Sequence, residues 1–221
     1  MASVGGSVST QVYKELRKRI LSGEIPQGER MVEAKVARNF NVSITPVREA
    51  FSLLASQGLL TVIPYCATYV TILSKESAVE LLELRKVLES AAIAMAFPRL
   101  KQEDADYLHA LCVEADVKNN AGEYLASIEC DVRFHEFFIE RSGNNLLCEV
   151  WKMLRDRIVF FQSVTRPNCQ AIIKDLVTRH SGVVQALRRM DEDALKAAME
   201  EHLNTTMMRM GLPEQTTIAY K

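Results

Sequence analysis

The chain has 221 residues, is 48% hydrophobic and carries a formal net charge of −1, enough apolar material for one large or two modest folded domains and too much for a disordered chain. Its apolar runs are short and broken by charge, AAIAMAF at 91–97 being typical, so no membrane-spanning segment is expected and the protein reads as cytoplasmic. The five cysteines (Cys66, Cys112, Cys130, Cys148, Cys169) are scattered without CxxC spacing, which suits reduced thiols and not a disulfide framework or zinc ribbon.

Charge divides the chain. Residues 1–73 hold eight Lys/Arg against five Asp/Glu, leaving nineteen against twenty-three for the rest. A basic first module suited to a polyanion, followed by an acidic one, is the expectation.

In chain order, Val8, Val12, Leu16 and Ile20 predict a first helix closed by Ser22-Gly23, and the turn EIPQGE leads to a short helix over about 31–40. Asn41-Val42 makes a tight turn. Ser43 is placed to cap a third helix with Pro46 in its first turn, and Val47, Phe51, Leu54 and Ala55 form its buried face as far as Gly58. LLTVI (59–63) and TYVTI (68–72) predict two strands around PYCA. Three helices and a two-stranded hairpin make a winged helix-turn-helix over 1–73. Everything from 74 to 211 reads as helix, in six segments (75–97, 101–119, 121–142, 145–164, 169–190 and 191–209) broken at Pro98, Asn119-Asn120, Gly143-Asn144-Asn145, Pro167 and Asp191. The fold class expected is mainly α: a winged helix-turn-helix followed by an all-helical antiparallel bundle, with a tail at 212–221.

The linked features ILSGEIPQGE, VSITPVREA and LLASQGLL resemble the DNA-binding domain of GntR-type transcriptional regulators. Double-stranded operator DNA is the partner this implies. Ser43 and Thr45 then stand where free helix N–H groups meet a phosphate. Arg48, one turn on, is the residue for reading a base edge, its planar fork matching paired acceptors such as those of guanine. Lys14, Arg17 and Lys18 are candidates for backbone contacts, with a solvated helix face the favoured alternative for each. The chain departs from the family where basic residues are common, having Ala34 and Ile44 there, and its wing PYCATYV carries neither glycine nor a basic residue.

In the second module four polar residues interrupt the apolar stripes of three helices. Asp131 and His135 lie between Ile128 and Phe138, His180 among Val177, Val184 and Leu187, and His202 with Leu195, Ala198 and Thr206. One inward histidine is usually a hydrogen-bonded core residue. Three with an aspartate in one bundle point to a divalent transition metal on an N3O set, zinc first, with nickel, iron or manganese also suited. The text DVRFHEFF, then SGNN, then RHSGVVQALRRMDEDALKAAMEEHL resembles the FCD sensor domain that follows many GntR-type domains. That resemblance implies a metal with open positions for a small organic acid effector, and it puts Arg85, in ELRKVLE, among the effector contacts. For Arg85 a structural ion pair to Glu89 is an equal alternative, and for Asn144, a candidate ligand-binding residue in the SGNN turn, turn formation is the favoured alternative. His109 has no partner pattern.

The reading is a ligand-responsive regulator, a repressor by family expectation, acting as a homodimer on a near-palindromic operator. A direct metal sensor, a structural metal and a metal-dependent hydrolase are the rivals. The hydrolase lacks a base, since there is no HExxH and Glu201 points about 100° away from the face of His202.

Overall fold

A computed structural model describes residues 7–165 and 176–208. The chain forms two compact units that meet between Leu73 and Ser74. In the first unit, helix α1 (Val8–Leu21) starts where the Ser7 hydroxyl accepts from the Thr10 amide at 3.2 Å, and it buries Val12, Leu16, Ile20 and Leu21. Strand β1 (Arg30–Met31) precedes α2 (Glu33–Phe40), which ends on Asn41 in the left-handed region at φ 53°, a conformation asparagine tolerates better than most residues. Helix α3 (Ile44–Ser56) packs Val47, Ala50, Phe51 and Leu54 inward, and the hairpin of β2 (Leu60–Ile63) and β3 (Ala67–Val70) follows.

Two expectations need correction here. The sheet has three strands in the order β1-β3-β2, with Arg30 opposite Tyr69 and Met31 opposite Thr68, so the second helix starts at Glu33 and not at about 31. A two-residue strand has no periodicity to betray it, and only its partner strand defines it. Ser43 does occupy the N-cap position of α3, but its side chain makes no capping bond. Its hydroxyl is left exposed.

The second unit contains α4 (Lys75–Ala96), a 3-10 turn (Phe97–Arg99), α5 (Asp104–Asn120), α6 (Tyr124–Arg141), α7 (Asn145–Thr165), α8 (Leu176–Arg188) and α9 (Glu192–Met208). The residues foreseen as helix at 169–175 and 209, together with Pro167, Cys169 and the tail 212–221, lie outside the described residues. Among the described residues no helix is long and apolar enough to cross a membrane.

Helix α6 is the inner member of the bundle. It packs on α4, α5 and α7, and its side chains are buried on nearly every face from Ile128 to Ile139. Helix α8 packs on α5 and α9, and α9 in turn on α4. Four helices therefore converge where α6, α8 and α9 carry their histidines.

Candidate metal centre and nucleic-acid interface

Helix α6 delivers Asp131 and His135 one turn apart, both buried, His135 completely so. Helix α8 delivers His180, also completely buried, and it is tied to α5 one turn before that histidine: the Asp116 carboxylate accepts from the Leu176 amide at 2.7 Å and from the Val177 amide at 3.2 Å, which helps set the height of His180. Helix α9 delivers His202. The three histidines form a cluster whose ligand atoms all lie within 4.8 Å of one another.

Each ring is anchored through Nδ1. That of His135 lies 2.6 Å from Glu89 Oε2, that of His180 is 3.0 Å from the Leu176 carbonyl, and that of His202 is 3.3 Å from the Arg179 carbonyl. Because carbonyls and carboxylates only accept, each Nδ1 carries the proton and each Nε2 keeps a lone pair. His180 Nε2 then stands 3.5 Å from His135 Nε2 and 3.3 Å from Asp131 Oδ1. Two donors bound to one ion at about 2.0–2.1 Å in a tetrahedron would be spaced about 3.3 Å. The fit to a metal is therefore good for these three groups, with His202 somewhat further off.

Asp131 Oδ2 accepts from Gln162 Nε2 of α7, whereas Oδ1 is buried with no hydrogen-bond partner. Burial drives the His180 pKa down to about 3, against the pull of Asp131, and drives that of His202 well below its ordinary value. Both rings are neutral at pH 7. Burial would raise the Asp131 carboxyl, but the surrounding imidazoles and Arg179 outweigh it and hold the group ionised. A buried anion with one bare oxygen, facing neutral lone pairs, is chemically a cation site. Phe134 closes one side, its ring 4.3 Å from that of His180.

Arg85 is buried, with Nε donating to Glu89 Oε1 at 2.8 Å. The ion pair held open as an alternative is thus present, and the apolar setting foreseen is only partial, because Leu84 is exposed and Leu88 half-buried. Arg85 Nη2 nonetheless has no partner. Neither has Nε1 of Trp151, over whose ring the guanidinium carbon lies at 5.9 Å. Asn144 uses its side chain locally: Oδ1 accepts from the Leu147 amide at 3.1 Å, capping α7, and Nδ2 lies 3.7 Å from Met95 Sδ. His109 is half-buried on α5 and has no place in the cluster. Glu89, Gln162, Asp116 and Trp151 escaped the sequence reading as site residues. Only Glu89 had a signal, its spacing four residues after Arg85.

In the first unit Ser43, Thr45, Arg48 and Lys14 are exposed and Arg17 half-buried. Arg48 is not free: its Nε donates to Glu33 Oε2 of α2 at 2.8 Å, with 69% of the arginine side chain still exposed. At the wing tip Tyr65 is fully exposed with φ 59°.

A winged helix-turn-helix followed by a helical bundle is the architecture of a DNA-binding regulator. Residues 8–70 match the family of bacterial regulatory proteins, gntR family, and residues 80–205 match the FCD domain. The chain belongs to the GntR family of transcriptional regulators with an FCD domain, which answers the hydrolase reading: the family binds DNA. It is 27% identical over 201 residues to the HTH-type transcriptional repressor RspR of Escherichia coli K12, covering 89% of this chain and 86% of that one. It is 26% identical over 206 residues to the gluconate operon transcriptional repressor of Bacillus licheniformis, covering 90% and 83%. The solved structure of E. coli McbR/YncC superposes with a TM-score of 0.75 at 24% identity, over 93% of this chain and 98% of that one.

Proposed function

We propose that the protein is a cytoplasmic transcriptional repressor that binds a near-palindromic operator as a homodimer. Its bundle holds one divalent transition metal on Asp131, His135, His180 and His202 and takes up a small organic acid as effector. The observation that carries the metal is the bare, buried Asp131 Oδ1 facing the Nε2 atoms of neutral imidazoles. A bound cation would neutralise that carboxylate and offer open coordination positions to a carboxylate ligand.

The effector reading is supported by the other two orphaned atoms. Among the described residues the buried side-chain N and O atoms lacking a partner are Asp131 Oδ1, Arg85 Nη2 and Trp151 Nε1. The first calls for a cation. The other two are donors in neighbouring side chains and call for an acceptor, which a carboxylate supplies. A regulator sensing the metal alone would leave both donors unexplained, so the organic-acid reading is preferred. Names of relatives support the repressor part: three are called repressors, one of them named for the operon of gluconate, an organic acid, and one for D-xylose utilization, a neutral sugar.

DNA reading falls to α3, with Arg48 at base edges, Ser43 and Thr45 at phosphate, and Lys14 and Arg17 along the backbone. The effector acts by binding the bundle with different affinity in the DNA-competent and DNA-free states, a coupling free energy between the two sites. The test is to retain genomic fragments of the source organism on the purified protein, with and without chelator, and sequence them. A discrete enriched palindrome is expected. Its absence in every condition contradicts the repressor assignment. Trp151 is the chain's single tryptophan, so its emission should change as the acid encoded near that palindrome is titrated into the metal-loaded protein.

A further inference from the structure

Of the three imidazoles in the cluster, two are steadied by main-chain carbonyls and one by a charged side chain. That side chain, Glu89 on α4, is completely buried and divides its carboxylate between two partners: Oε1 accepts from Arg85 Nε at 2.8 Å and Oε2 from His135 Nδ1 at 2.6 Å. Arg85 stands one helical turn away, whereas His135 comes from α6, 46 residues along the chain. A carboxylate that takes a guanidinium N–H on one oxygen is placed to accept on the other as well, so the hydrogen bond to His135 runs from Nδ1 to Oε2 and leaves the lone pair of that ring on Nε2, toward His180.

We propose that Glu89 is a positioning residue for the metal centre: it fixes the tautomer and ring orientation of His135 and, with its other oxygen, ties that ligand to Arg85. The inference rests on the metal reading above and deepens it. A neutral glutamine at this place has a single acceptor oxygen for two donors. When its NH2 faces His135, the ring is pushed to the opposite tautomer, with the proton on Nε2 and no lone pair for an ion. The same substitution weakens the hold on Arg85. The metal-binding and anion-binding ends of the bundle thus depend on one carboxylate.

The test measures Co2+ and Zn2+ affinity of the full-length apo protein by competition with a chromophoric chelator. It compares wild type, Glu89→Gln and Leu108→Ala, the last removing a fully buried apolar side chain of α5. The expected result is a tenfold to hundredfold weaker affinity in Glu89→Gln, the range for losing such an outer partner, with a changed Co2+ absorption spectrum and no comparable loss in Leu108→Ala. Wild-type affinity in Glu89→Gln, or an equal loss in Leu108→Ala, overturns the positioning role while leaving the metal reading intact. No binding by the wild type overturns both. Should Glu89→Gln fail to fold, 15N spectra of the wild-type apo protein decide: a proton on His135 Nδ1 is expected, and one on Nε2 refutes the proposal.

Discussion

Arg48, the residue proposed to read the operator, is already engaged with Glu33 of α2 in the free protein. An exposed pair of this kind is worth about 1 kcal/mol at most, less than a bidentate contact to guanine, worth about 1–3 kcal/mol. DNA should therefore win the guanidinium. Arg48→Ala is expected to weaken specific operator binding by roughly tenfold to a hundredfold while leaving the melting temperature nearly unchanged, as read by fluorescence anisotropy and calorimetry. Unchanged affinity would remove Arg48 from the interface. A second residue-scale expectation concerns acid. The folded His180 resists protonation down to about pH 3, whereas the unfolded ring takes a proton near its ordinary value of 6.5. The unfolded state then binds more protons between those limits, so the metal-free protein loses stability as pH falls from about 6.5 towards 3. Asp131 acts in the same sense at the low end, because its folded carboxyl lies below the ordinary 3.8. Urea unfolding of apo protein at pH 7.5 and pH 5 checks the sign; equal midpoints contradict it. The inward histidines and Asp131 were legible in the sequence because helical periodicity places them in apolar stripes. Gln162 and Trp151 were not, since each sits in a helix whose sequence gives no reason to prefer one polar neighbour over another.

At the scale of elements, helix starts decide where site residues stand. The Asn144 side chain caps α7 through the Leu147 amide, so Asn144→Ala is expected to cost about 1 kcal/mol in stability without altering metal affinity. A loss of effector response in a fully stable Asn144→Ala protein would restore the ligand role the sequence suggested. Asp116 has the larger reach. It holds the Leu176 and Val177 amides of α8 from across the bundle, and Asp116→Ala should both destabilise the protein by about 1–2 kcal/mol and weaken metal binding, because His180 lies one turn beyond the amides it holds. Unchanged metal affinity in that variant would mean that α8 is held by packing alone. Most element boundaries were readable from prolines, Asx residues and apolar stripes. What the sequence hid were tertiary effects: β1, which exists only by pairing with β3, and the tie from the Leu176 amide of α8 to Asp116, a residue 60 positions upstream.

For the molecule as a whole, the account joins a DNA-binding unit to a bundle whose interior is polar for a reason. The class of the protein was accessible from linked motifs, and both family matches agree with it. The content of the bundle is decisive, since a core of Asp131, His135, His180 and His202 without an ion would leave a buried carboxylate oxygen with no hydrogen-bond partner among imidazoles, an arrangement costing several kcal/mol. The direct measurement is metal stoichiometry: equilibrate the apo protein with Zn2+, pass it through a desalting column, and determine bound metal by elemental analysis beside His180→Ala and Asp131→Asn. One ion per chain in the wild type, and well under one in both variants, is expected. A folded wild-type protein that retains no metal, or variants that retain as much as the wild type, would contradict it.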